Sequence, residues 1–225
     1  GVNDDPVATF NTQQDVNEGD AVINGQLTST DVDNNESATY ADTTAGIAGL
    51  TIMPNGSFSF DPSDVAYEGL AVGDTQTETV TYSVTDAQGA VANGSFDIVI
   101  SGSNDAPVAT FNTAQTATED AAVVNGTLTA TDADVGDVLT FTIDNPIDGL
   151  TLAGDTFSFD PTHASYQVLA AGEDQVITVD YTVTDSQGAT GTNSFTITVT
   201  GVNDDPVATF NTQQDVNEGD AVING

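Results

Sequence analysis

A chain of 225 residues has room for one large domain or two small ones, and this one carries 35 Asp and Glu, one histidine (His163), and no Lys, Arg or Cys. A formal charge of −35 leaves nothing to displace counterions from nucleic-acid phosphates or to dock on an anionic membrane, and the composition excludes disulfides and Lys–Asn isopeptide links. No apolar run approaches the roughly 20 residues of a spanning helix, yet hydrophobic residues make up 38% of the chain, enough for a modest core and too many for a disordered polyanion.

Period-2 alternation predicts strands near residues 6–11, 21–30, 37–41, 49–53, 57–61, 77–85 and 94–101. The clearest are Ser57-Phe58-Ser59-Phe60, then Val80, Tyr82 and Val84 against Thr79, Thr81, Ser83 and Thr85, then Phe96, Ile98 and Ile100 against Asp97, Val99 and Ser101. Asn55-Gly56, between two such runs, is a strong signal for a tight hairpin; its counterpart Gly154-Asp155 is one residue shorter. No stretch shows an apolar stripe at helical spacing.

The pattern then repeats. Residues Gly1–Gly25 recur unchanged as Gly201–Gly225, and a looser copy stands at Gly102–Gly126. Ser29–Asp33 matches Ala130–Asp134, Gly49–Pro62 matches Gly149–Pro161, and Val80–Ala90 matches Val179–Ala189. The expected organisation is therefore one unit over 1–101, a second over 102–200, and the opening portion of a third over 201–225, a window on a longer tandem array. Units of about 100 residues suit beads that fold alone. Seven short strands in each predict an all-β, immunoglobulin-like sandwich, with units end to end.

Carboxylates without counter-charges carry the chemical information. Three clusters recur in register. The first is Asp31-Val32-Asp33 with Glu36, matched by Asp132-Ala133-Asp134 with Asp137. The second is Asp86-Ala87-Gln88-Gly89, matched by Asp185-Ser186-Gln187-Gly188. The third is Asn-Asp at each unit boundary, as Asn3-Asp4, Asn104-Asp105 and Asn203-Asp204. A lone acid also recurs early in each unit, as Glu18, Glu119 and Glu218. One isolated D-x-D in a loop is most simply a solvated turn, because Asp and Asn bond nearby backbone. Three clusters in register, in a chain with no basic residue, point instead to a shared cation. All-oxygen donors favour calcium, which takes six to eight of them; transition metals would want His or Cys. The EF-hand loop is absent.

The order Glu, D-x-D, D-x-x-G, N-D-x-P resembles the calcium scaffold of cadherin repeats. More closely, Asn104–Pro107 followed by Thr116–Asp137, Phe157–Pro161, Leu169–Glu173, Tyr181–Thr190 and Ile197–Gly201 resembles VCBS repeats, cadherin-like extender domains of large RTX-type bacterial adhesins. That resemblance spans the chain and implies calcium held between consecutive units. It assigns the complete junction to Glu18, Asn104, Asp105, Asp132, Asp134 and Asp185, an amino-terminal half-junction to Asn3, Asp4, Asp31, Asp33 and Asp86, and a carboxyl-terminal one to Glu119, Asn203 and Asp204. It departs from the cadherin pattern at Gly102 and Gly201, where the linker would begin with Asp, and at Ala106 and Asp205, where it would end with Asn. The mid-domain acidic motif of cadherins has only Asp74 and Glu173 as stand-ins.

Catalysis is the weakest reading. Nucleophilic triads need a base, and His163 sits beside Pro161 where the first unit has Asp64. Paired carboxylates of a glycosidase need a cleft that short-looped sandwiches rarely offer. A carbohydrate- or protein-binding module would place aromatics on one unit and not the other; here Phe58, Phe60, Tyr67 and Tyr82 have counterparts at Phe157, Phe159, Tyr166 and Tyr181, which reads as core. The expected role is a structural spacer in an extracellular adhesin supporting adhesion or biofilm, its partners the neighbouring repeats of the same chain. The alternative is a subunit of a self-assembling fibre or matrix, with other copies as partners. Neither involves nucleic acid or membrane insertion.

Overall fold

The computed structural model describes residues 2–33, 37–208 and 218. Glu36 and most of the third-unit portion at 201–225 fall outside the described residues. Among those described there is no helix, and the strands form two sandwiches with the same order of elements.

In the first sandwich β1 is Val7–Ala8, β2 Gln14–Asn17, β3 Ile23–Gln26, β4 Ser29–Thr30, β5 Thr39–Asp42, β6 Leu50–Ile52, β7 Ser57–Phe60, β8 Thr75–Thr85 and β9 Val91–Ser101. One sheet runs β2-β9-β8-β5 and the other β3-β7-β6, with β1 and β4 paired separately. The second sandwich repeats this as β10 Val108–Ala109, β11 Gln115–Thr118, β12 Val124–Thr127, β13 Ala130–Thr131, β14 Thr140–Ile143, β15 Leu150–Ala153, β16 Thr156–Phe159, β17 Asp174–Thr184 and β18 Thr190–Thr200.

The long hairpins β8–β9 and β17–β18 are the backbone of each core. Their alternation turns Val80, Tyr82, Val84, Phe96, Ile98 and Ile100 inward and leaves Thr and Ser outside. The second unit buries Val179, Tyr181, Val183, Phe195, Ile197 and Val199 in the same way. Phe58 and Phe60, with Phe157 and Phe159, close the cores from the opposite sheet. Phe10 packs edge-on against Phe96 with centroids 5.0 Å apart, and Phe111 against Phe195 at 5.1 Å. Four of the five buried tyrosines send the hydroxyl to a carbonyl, Tyr82 to Phe10 at 2.8 Å, Tyr181 to Phe111 at 2.9 Å, Tyr67 to Ala48 at 3.0 Å and Tyr166 to Asp148 at 2.6 Å, while the Tyr40 hydroxyl pairs with that of Ser29 at 2.8 Å. The aromatics shared by both units are therefore core, as their alternation predicts.

Three details differ from the sequence pattern. The predicted strand 21–30 is broken into β3 and β4, which lie in different sheets. A strand not predicted, β2, lies parallel to β9, with Gln14 opposite Ile98 and Asn17 opposite Ser101. Its sequence, QDVN, buries only Val16, so apolar alternation gives no sign of it. The Asn55-Gly56 turn is a three-residue loop, Pro54-Asn55-Gly56, closed by the Met53 N–H on the Ser57 carbonyl at 2.8 Å; the two-residue turn belongs to Gly154-Asp155, where Ala153 faces Thr156.

Candidate metal centre at the joint between the units

The parallel strand β2 delivers Glu18. Its N–H bonds the Ser101 carbonyl at 2.9 Å, extending the pairing with β9 and fixing the side chain where the first sandwich ends. The chain then turns through Gly102, whose N–H bonds the Asp74 carbonyl at 2.9 Å. A Cβ at Gly102 would stand 2.2 Å from the Leu70 carbonyl oxygen and 2.3 Å from that of Ala71. Gly201 meets the Ala170 carbonyl oxygen at 2.4 Å in the same way. The Asp of the cadherin linker is missing here because the backbone passes too close for any side chain.

Beyond the turn, Asn104 and Asp105 enter the top of the second unit. The Asn104 amide donates to Asp185 Oδ2 at 2.8 Å, and the Asp105 N–H donates to Asp134 Oδ2 at 2.9 Å. The Asp134 N–H in turn donates to Asp132 Oδ1 at 3.1 Å. One carboxylate oxygen each from Asp132, Asp134 and Asp137 lie within 4.8 Å of one another. Asp185 plays a different part. Its Oδ1 accepts the N–H groups of Gln187, Gly188 and Ala189 at 2.5–2.9 Å, so it clamps the turn after β17 and holds Asn104 in place. The Asn104 bond first, with those backbone N–H groups, holds the Asp185 carboxyl below the usual range.

The centre is short of hydrogen. Glu18 is 6% exposed and Asp134 4%, yet Glu18 Oε2, Asp132 Oδ2 and Asp134 Oδ1 are buried with no partner. Such groups normally have one. Burial, then repulsion from Asp105, and less so from Asp134 and Glu68, pushes the Glu18 carboxyl up to about 7 despite a bond from the Ser103 backbone. Burial likewise raises Asp134, helped by Asp105, Asp132 and Asp137. The donors are oxygens of one charge, several desolvated, and the chain has no Lys or Arg to pair them. That donor set fits a hard divalent cation.

The half-junctions keep the same geometry. At the amino end the Asn3 amide donates to Asp86 Oδ2 at 2.8 Å, the Asp4 N–H to Asp33 Oδ2 at 2.9 Å, and the Asp33 N–H to Asp31 Oδ1 at 2.9 Å; Asp31 Oδ2 is buried without a partner. At the carboxyl end Glu119, 2% exposed, takes the Val202 N–H on Oε2 at 2.9 Å, while Oε1 has no partner. The Asn203 amide there bonds the Asp204 carbonyl at 3.2 Å. Among the described residues, Glu18, Asn104, Asp105, Asp132, Asp134 and Asp185 are linked by these bonds and charges at the first joint.

Glu68 was not among them. It follows Tyr67 in the first unit and lies near enough to Glu18 to raise it. Asp74 and Glu173 do not take that place: both give backbone carbonyls to the turns at Gly102 and Gly201. Glu68 leaves no recurrent signal because the second unit has Gln167 there.

A family model described as the bacterial Ig domain matches residues 3–99 and again 104–200. No curated protein matches the chain. Solved structures with the same fold include human protocadherin-24 EC1-2, 16% identical with a TM-score of 0.55, covering 87% of this chain and 98% of that one. They also include mouse cadherin-23 EC22-24, 20% identical with a TM-score of 0.52, covering 88% and 65%. PcdhgB3 EC1-4 is 17% identical with a TM-score of 0.56, covering 88% of this chain and 50% of that one. The chain thus spans about half to two thirds of the length of two of these cadherin structures. The family model thus finds two immunoglobulin-like domains in tandem, and the solved cadherin structures share their fold.

Proposed function

We propose that this chain, which belongs to the bacterial Ig domain family, is a segment of an extracellular spacer array whose units are stiffened by calcium at their joints. The division into 1–101, 102–200 and 201–225 is part of this reading, as are the VCBS-type and RTX-adhesin assignments and a role in cell adhesion or biofilm. The role is mechanical and not catalytic. The observation that carries it is the cluster of desolvated, unpartnered carboxylate oxygens of Glu18, Asp132 and Asp134 where the two sandwiches meet. Such an arrangement is costly without a cation and economical with one. When bound, calcium supplies positive charge shared by both units. Glu18 and Glu68 offer it oxygens from the first unit, Asp105 from the linker, and Asp132, Asp134 and Asp137 from the second. Asp185 and Asn104 hold the linker in register.

Calcium that binds only the folded state stabilises it by RT ln(1 + [L]/Kd), about 2.7 kcal/mol at a hundredfold excess over Kd. The melting temperature of the chain should rise with calcium far more than with sodium of equal ionic strength. Equal responses would reduce the effect to screening and overturn the proposal.

A further inference from the structure

We infer that the two-residue corner Glu68-Gly69, after the buried tyrosine of the first unit, sets the stiffness of the joint between the two units, and that the Gln167-Val168 pair the second unit carries at the same corner would loosen it. The inference rests on the calcium reading above.

Two contacts at the first joint depend on this corner. Glu68 adds a negative charge that acts on Glu18 across the same end of the sandwich. Gly69 meets the D-x-D turn of the second unit directly: the Val135 N–H donates to the Gly69 carbonyl at 3.3 Å, a backbone hydrogen bond from one sandwich to the other. That approach is close. A Cβ on Gly69 would lie 3.2 Å from Val135 Cγ2, a tight contact that the exposed Val135 side chain would have to ease by a few tenths of an ångström, and 3.5 Å from the Ala133 carbonyl oxygen. Valine, with two further methyls, would force it further.

The second unit changes both residues at once. Tyr166 aligns with Tyr67 and makes the same kind of bond to a loop carbonyl, so the corner is built alike. Gln167 then stands for Glu68, and Val168, 81% exposed, for Gly69. The buried acid of this end, Glu119, is kept, with Oε1 unpartnered. The Gln167 Nε2 is also buried without a partner. The second end thus retains one buried acid, offers an amide where the first has a carboxylate, and presents methyl groups where the first admits a backbone bond. Calcium affinity follows ligand charge and site rigidity, and both fall together here.

The test transplants the corner. Glu68→Gln and Gly69→Val, singly and together, are made in the full chain. The substitutions suit the fold, because the second unit carries the same residues at the same corner, and Gly69 has no left-handed backbone angle to lose. Calcium alone is titrated calorimetrically, and small-angle scattering is recorded in chelator and at calcium saturating the unaltered chain. The expected result is a roughly tenfold or greater loss of affinity in the double variant, with a broader distance distribution in calcium. The variants should melt like the unaltered chain in chelator. Glu68→Gln should act mainly on affinity, and Gly69→Val on the distance distribution even at saturation. If the unaltered chain binds calcium and the double variant matches it in affinity and shape, the inference is overturned and the calcium reading stands. If the unaltered chain takes up no calcium, both are overturned.

Discussion

Glu18 and Asp134 carry the clearest physical signature in the chain. A carboxyl held at about 7 inside the fold, and near its ordinary value of about 4.3 when unfolded, binds more protons folded than unfolded between those limits. In chelator, then, the Glu18 contribution favours the fold below about pH 4 and is lost as the pH rises through about 7. Calcium needs the ionised form, so binding at pH 6–7 should release protons. Titrations in buffers of different ionisation enthalpy measure that release directly; heats independent of buffer would show that Glu18 is already ionised. Asp134→Asn asks a sharper question, because it keeps an oxygen for the Asp105 N–H while deleting the charge. It should raise stability in chelator by removing a desolvated charge, yet weaken calcium binding about tenfold or more. Asp97→Asn is the control. That carboxylate lies on the outer face of β9, bonded to the Thr79 hydroxyl at 2.7 Å, so its loss should leave calcium binding unchanged. Equal calcium binding by the two variants would make the D-x-D cluster an ordinary acidic turn. Glu18 and Asp134 were legible in the sequence because each recurs in register, as Glu119 and Asp33, whereas Glu68, with Gln167 as counterpart, does not.

At the level of elements, legibility followed how much apolar side chain a strand buries. The hairpins β8–β9 and β17–β18 alternate over many residues and could be placed by pattern, although both begin earlier than their apolar positions do. Strand β2 could not, because it is held by backbone bonds to a strand some eighty residues away in sequence. The irregular segments around Phe10 and Phe111 were equally hidden, since a tyrosine hydroxyl from a strand some seventy residues on holds each of them. Removing that hydroxyl with Tyr82→Phe leaves the Phe10 carbonyl without its partner and should cost about 1 kcal/mol, up to about 3 if the carbonyl stays dry. The loss should appear equally with and without calcium, because Tyr82 lies in the core and not at the joint. Urea unfolding in chelator and in calcium would check this; a loss seen only in calcium would tie the tyrosine to the joint instead.

At the scale of the whole molecule the formal charge of −35 and the geometry of the joint pull against each other. Exposed carboxylates far from the joint repel only weakly in a salty medium, where the Debye length falls to about 3 Å near 1 M. Those at the joint are desolvated and screened far less, so salt alone does not relieve them. Without calcium the like charges of Glu18, Asp105 and Asp134 should drive the sandwiches apart at one end while the linker still tethers them. The cross-joint contacts described are slight: the Val135–Gly69 backbone bond, the bond from the Ser103 backbone to the Glu18 carboxyl, and a bond from the Ser103 hydroxyl to the Glu18 carbonyl at 3.5 Å. None is strong enough to resist several uncompensated carboxylates in a medium of low dielectric. Chelation should therefore increase bending at the joint and shorten the mean end-to-end distance, while each sandwich, held by its own aromatic core, keeps its shape. Small-angle scattering with and without chelator measures both quantities at once. A maximum dimension unchanged in a sample verified to be free of calcium would mean that the linker and the Gly69 contact hold the units in line unaided, and the cation would then have no mechanical role.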